Sequence, residues 1–154
     1  MALYTCPKLE RPYDNPANKS FEELGGRIME KVKDVPGHIR FVYEMPEPMP
    51  WPNYINTETD YPALTLSVWE DIDSLFTFSY RDNLHASALR QRKDWFKRSD
   101  HPIYVLWYVE DPNTVDYHEA VERMNFLCEH GPSPYAFDFH HLYNQQGNVM
   151  QKSK

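Results

Sequence analysis

Residues 63–96, "ALTLSVWEDIDSLFTFSYRDNLHASALRQRKDWF", pass from a strand into a helical stretch, and the rest of the chain is read outward from them. Leu64, Leu66 and Val68 alternate with Ala63, Thr65, Ser67 and Trp69, the period-two pattern of a strand with two distinct faces. Asp71 or Asp73 then caps a helix holding Ile72, Leu75, Phe76 and Phe78, which continues or restarts to about Phe96. On a continuous helix His85, Leu89, Arg92 and Phe96 share one face, with Leu84, Ala88, Gln91 and Trp95 in the neighbouring stripe.

Downstream, "IYVLWYV" (103–109) is apolar on both faces, so both must be covered, one by helices and the other by a second sheet, which in so short a chain points to another subunit. Upstream, "ALYTCPKL" (2–9) suits a first strand with Pro7 at an edge or end. Phe21, Leu24, Ile28 and Val32 predict a helix over 18–33, capped by Asn18 or Ser20 and stopped by Pro36-Gly37. Within it, Gly25-Gly26 imply close packing or a bend, because each costs about 1 kcal/mol against alanine. "HIRFVYE" (38–44) reads as a strand. Five prolines in residues 45–62 forbid regular structure there, leaving a connector or a lid that uses Trp51 and Tyr54. Asp116, three residues before Glu119, starts a helix that Gly131-Pro132 ends. Residues 135–143 read as a last strand and 144–154 as a flexible tail.

The order strand, helix, strand, strand, helix, strand predicts an α+β fold, a ferredoxin-like antiparallel sheet with helices on one face, with a C-terminal helix and strand added. The 154 residues suit a single domain spanning 1–143. A net charge of −7 argues against nucleic acid or an anionic membrane as partner. With no apolar run near the roughly 20 residues of a membrane helix, only two cysteines and no signal-like start, a cytoplasmic protein is expected. Aromatic residues make up 15% of the chain, enough to line a binding cavity as well as a core.

Three stretches, "LSVWEDIDSLFTFSYRDNLHASALRQRKDWF", "PIYVLWYV" and "EHGPSPYAFDF", together resemble a domain family of unknown function assigned to the dimeric α/β-barrel superfamily. The matching pattern, over about residues 63–139, is a tryptophan ending a strand, Phe-x-Tyr-Arg before a histidine, an Arg-rich helix to Trp-Phe, a Leu-Trp-Trp strand and a late Gly-Pro. Tyr108 departs from it, standing where the second tryptophan of Leu-Trp-Trp is expected. The resemblance implies a homodimer whose sheets pack into a barrel, and a cavity between the sheet and helices of each protomer. The superfamily includes cofactor-free quinone-forming monooxygenases of antibiotic biosynthesis, polyketide cyclases, haem enzymes and stress-response proteins, among which fold alone does not choose.

Two accounts of the helix face compete. In one, His85 is a general acid or base and Arg92 or Arg81 stabilises a developing enolate or phenolate, with Tyr80 donating to a substrate oxygen. Trp69, Phe78, Leu89, Trp95, Trp107 and Trp51 then line the substrate site. In the other, His85 bonds Tyr80 or a backbone carbonyl as a structural pin and the arginines face solvent. The first predicts a cofactor-independent cyclase, isomerase or monooxygenase acting on a small apolar or aromatic, polyketide- or terpenoid-like metabolite. The second predicts a non-catalytic small-molecule-binding or stress-response dimer. A haem enzyme with His85 as axial ligand and Trp69, Trp107 and Phe78 as walls is a third reading, without a Cys-x-x-Cys-His attachment motif. Adjacent His140 and His141 point to opposite faces in a strand, so no metal site is expected there.

Overall fold

The computed structural model describes residues 1–151. Four strands, β1 (Ala2–Thr5), β3 (His38–Phe41), β5 (Thr65–Trp69) and β6 (Tyr104–Trp107), form one sheet in the order β3-β5-β1-β6. Every pairing is antiparallel, with Tyr4 opposite both Leu66 and Val105. The expected first strand is broken at Cys6-Pro7, and its second part, β2 (Lys8–Leu9), pairs with β4 (Tyr61–Pro62) in a separate two-stranded sheet. The helices are α1 (Lys19–Val32), α2 (Ile72–Phe76), α3 (Asn83–Trp95) and α4 (Tyr117–His130). The chain is thus α+β, a mostly antiparallel open sheet with four helices.

Local chemistry fixes the helix ends. Asp71 accepts from Ser74 N at 2.7 Å and Asp116 from Glu119 N at 2.9 Å. The Glu119 carboxylate does not turn back to complete a capping box; it pairs with Arg123 at 2.7 Å. Neither residue expected to cap α1 does so. A 3-10 turn, Pro16–Asn18, precedes that helix, so the cap moves upstream to Asn15, which accepts from Ala17 N. Asn18 instead donates to the Pro12 carbonyl, and Ser20 accepts from the Trp95 indole. Gly37 ends the passage from α1 to β3 with φ +82°, where an added Cβ would strike the Ser74 side chain.

Strand alternation divides the apolar side chains between two layers. Tyr4, Leu66, Val68, Val105 and Trp107 point to one face, and α4 covers it with Ala120, Val121, Met124 and Leu127. All five sheet residues are at most 1% exposed within this one chain. The expectation of helices on one face only is therefore corrected: α1 and α3 cover one face, and α4 with part of the Pro-rich segment covers the other. The second apolar face of "IYVLWYV" is met by the chain's own helix, not by a partner's sheet.

Two C-terminal expectations also change. Residues 135–143 do not form a strand: Phe137 makes a single-residue bridge to Leu106, and Asp138 then opens a turn by accepting from the His140 and His141 amides. Residues 144–150 fold back, with Met150 N donating to the Leu142 carbonyl and Asn148 N to the Asn144 side chain. The remainder of the expected tail, 152–154, lies outside the described residues.

Candidate functional site

On the α1/α3 face the sheet presents Leu3 beside Thr5, Thr65 and Ser67, the last three small for positions under two helices. Opposite them stand Gly25 of α1 and Ala88 of α3. Short side chains facing short side chains leave a cavity of about 490 Å³, closed at its sides by aromatic rings. The volume is that of a small-molecule site. An added Cβ meets nothing within 4 Å at Gly25, which faces the gap, or at Gly26, which faces solvent, so the pair does not mark the close packing expected of it.

His85 reaches the cavity through an irregularity between α2 and α3. Residues Thr77–Arg81 widen into a π turn, with Asp82 N bonding back to the Thr77 carbonyl at 3.1 Å. Asp82 then restarts the helix, its Oδ1 accepting from Leu84 N at 2.9 Å and His85 N at 3.0 Å. Those amides are occupied by the cap, so the Ser79 carbonyl takes its hydrogen bond from the His85 ring, with Nδ1 at 2.7 Å. A carbonyl only accepts, so Nδ1 carries the proton and Nε2 of the neutral ring keeps its lone pair. Among the described residues Nε2 has no hydrogen-bond partner. Burial holds the ring below the ordinary histidine value of 6.5, against smaller opposing effects of the Ser79 bond and the Asp82 charge.

Trp69, Phe78 and His85 form one continuous wall, with ring centroids 5.1 Å and 5.0 Å apart along it. The Trp69 indole donates to Ser67 Oγ at 3.0 Å and the Trp95 indole to Ser20 Oγ at 2.9 Å, so both offer faces and not free donors. Leu89 and Arg92 lie one and two turns along α3 from His85. Tyr80 and Arg92, both exposed, stand at the rim. Burial raises the Tyr80 hydroxyl, which neighbours that of Tyr104, while the Arg92 charge opposes the rise.

The structure thus brings together His85, Arg92, Tyr80, Trp69, Phe78, Leu89 and Trp95 around one cavity. Three expected members are elsewhere. Trp107 is on the α4 face, because odd and even positions of β6 project oppositely, and Arg123 lies 5.9 Å over its ring. Trp51 packs on that same face, where Asn53 N bonds Asn125 Oδ1 and Tyr54 bonds the Cys6 carbonyl. The Trp51–Tyr54 part of the Pro-rich segment is therefore fastened across the sheet from the cavity. Arg81, at the exposed end of the π turn, is not a lining residue. The haem reading accordingly loses Trp107 as a wall. Among the described residues no group of three or more His, Cys, Asp or Glu is placed to hold a metal ion.

Several lining residues escaped the sequence reading. Tyr104 shares a face of β6 with Leu106, but nothing in that apolar run marks which face meets the cavity; Phe139 lies at the C-terminal end of the aromatic-rich "YAFDF". Phe21 and Ile28 were read as helix core, which they also are.

No helix among the described residues is long and apolar enough to cross a membrane. No curated protein matches the chain. The model of a domain of unknown function, DUF3291, matches residues 1–153, and the chain therefore belongs to the DUF3291 family.

Proposed function

We propose that the chain binds a small, largely apolar, ring-bearing molecule between its sheet and helices and transforms it by proton transfer, with His85 Nε2 as the base. The observation that carries this reading is a neutral imidazole whose tautomer is fixed by Ser79 and whose other nitrogen is left free at an apolar cavity. A histidine held neutral near pH 7 is ready to accept a proton, and an apolar wall beside it keeps bulk water from competing. Cyclisation, isomerisation and cofactor-free oxygenation that run through an enolate or phenolate of a polyketide- or terpenoid-like metabolite begin with this transfer. No cofactor is required for that first step.

The strand order β3-β5-β1-β6, all antiparallel, with α1 between β1 and β3 and with α2 and α3 between β5 and β6, supports a ferredoxin-like arrangement. A homodimer cannot use the sheet face that α4 already buries, so the barrel pairing implied by the resemblance would have to give way to another surface.

Deuterium exchange tests the chemistry without a known substrate. The protein, incubated in D₂O with ring-bearing ketones such as α-tetralone and phenylacetone, is expected to speed loss of the α-proton signal, and His85→Gln to abolish the gain. Equal rates for wild type and His85→Gln refute the base assignment. The binding-only reading has one observation in its favour: Nδ1 meets a carbonyl and not a carboxylate, so the imidazolium is favoured only by that bond and the Asp82 charge, both of which burial outweighs.

A further inference from the structure

Among the cavity's lining residues there is no carboxylate and one formal charge, that of Arg92. An apolar interior accounts for the missing carboxylates. It does not account for the guanidinium. Three other basic side chains are matched, Lys8 with Asp60 at 2.9 Å, Arg123 with Glu119 at 2.7 Å and Lys31 with Asp82, and half-buried Arg40, which has no acid partner either, donates to the Val115 carbonyl at 3.4 Å, away from the cavity. Among the described residues Arg92 pairs with no acid. One of its terminal nitrogens donates to the Leu89 carbonyl at 2.8 Å, which fixes the side chain against its own helix and leaves its other N–H groups uncommitted. Asp138, the acid whose charge is felt at Tyr80, turns one oxygen, Oδ1, to the His140 and His141 amides and the His141 ring, and makes no ion pair with Arg92.

We infer that the ligand is an apolar carboxylic acid that enters ring first and leaves its carboxylate at the rim, on Arg92. This deepens the reading given under the proposed function and rests on the cavity being a binding site. A guanidinium already held by one bond gives up little freedom in binding a carboxylate through its remaining N–H groups. The exposed Tyr80 hydroxyl stands at the same rim and supplies a second donor. His85, two turns of α3 away, then faces the body of the molecule and not its acid group. Arg92 is in this account a specificity-determining residue.

The test uses matched probes. Binding of the neutral dye N-phenyl-1-naphthylamine, read by its fluorescence, reports on the cavity itself. Displacement of the dye by 1-naphthylacetate is compared with displacement by 1-naphthylacetamide, which has the same rings and no charge. Wild type is expected to prefer the acid by about tenfold. Arg92→Gln should remove that preference while leaving dye affinity within twofold, Arg92→Lys should keep part of it, and Arg90→Gln, on the exposed side of the same helix, should leave it intact. No preference in wild type, or a preference that survives in Arg92→Gln, overturns the assignment. Failure of the dye to bind wild type refutes the cavity reading, a result distinct from loss of acid preference alone.

Discussion

Replacing Gly25 by alanine should make the protein more stable. α1 runs unbroken from Lys19 to Val32 through both glycines, and neither has the positive φ that would need one. A Cβ at position 25 meets nothing within 4 Å. The substitution therefore adds no clash and removes the backbone freedom that glycine has in the unfolded chain, a gain of about 0.8–1.0 kcal/mol. Gly26→Ala, on the exposed side, should add a similar amount, since the two methyl groups share no neighbour. For a domain of this size each kcal/mol corresponds to about 2–4 °C in Tm. Urea unfolding with an unchanged slope is the measurement. Gly25→Leu carries the argument further: its side chain projects into the cavity and should abolish binding of N-phenyl-1-naphthylamine while stability stays at or above that of wild type. A Gly25→Ala protein less stable than wild type, beside a stabilised Gly26→Ala, would mean that α1 presses on the sheet there and that no cavity exists.

Three further outcomes follow from the site and its surroundings. Burial lowers both His38 and His85 below 6.5, so above that pH neither contributes to a pH dependence of stability; as pH falls below about 6.5 the unfolded chain takes up protons that the folded chain refuses, and stability should decline, with the decline reduced in His38→Phe. Asp82→Asn keeps the helix cap, because the amide oxygen still accepts, but removes a charge that raises His85, so the His85 ring should titrate lower in an NMR pH series; an unchanged value would show that Asp82 does not reach it. Tyr117→Phe removes the buried bond to the Val42 carbonyl, 2.9 Å long, and should cost about 1 kcal/mol of unfolding free energy without altering dye binding, because Tyr117 lies on the α4 face.

The parts of the fold written in local periodicity were legible. The alternation along residues 63–70 identified β5 and both its faces, and Asp71 and Asp116 announced their helices. The grouping of His85, Leu89 and Arg92 came from helical spacing alone, and all three line one cavity. What could not be read were the choices made at long range. "IYVLWYV" is apolar at every position, so its pattern could not say that Val105 and Trp107 belong with α4 and Tyr104 with the cavity. Trp51 was equally opaque, since its side of the sheet depends on the bonds of Asn53 and Tyr54 to distant partners. The π turn at Thr77–Arg81 has no signature in residue type. It is set by Asp82 capturing the Leu84 and His85 amides, and it is what frees the Ser79 carbonyl for the His85 ring.

The two faces of this sheet show why the cavity points to function. On one, large side chains such as Tyr4, Leu66 and Trp107 meet the small Ala120 and are wholly enclosed. On the other, Thr5, Thr65 and Ser67 meet Gly25 and Ala88, and space remains. A protein interior packs densely, and unfilled volume costs stability roughly in proportion to its size. A few larger residues at positions 25, 65 or 88 would close the gap with ordinary helix or strand formers. That the sequence instead places its smallest residues opposite one another, and rings around them, is the arrangement of a site kept open for an occupant.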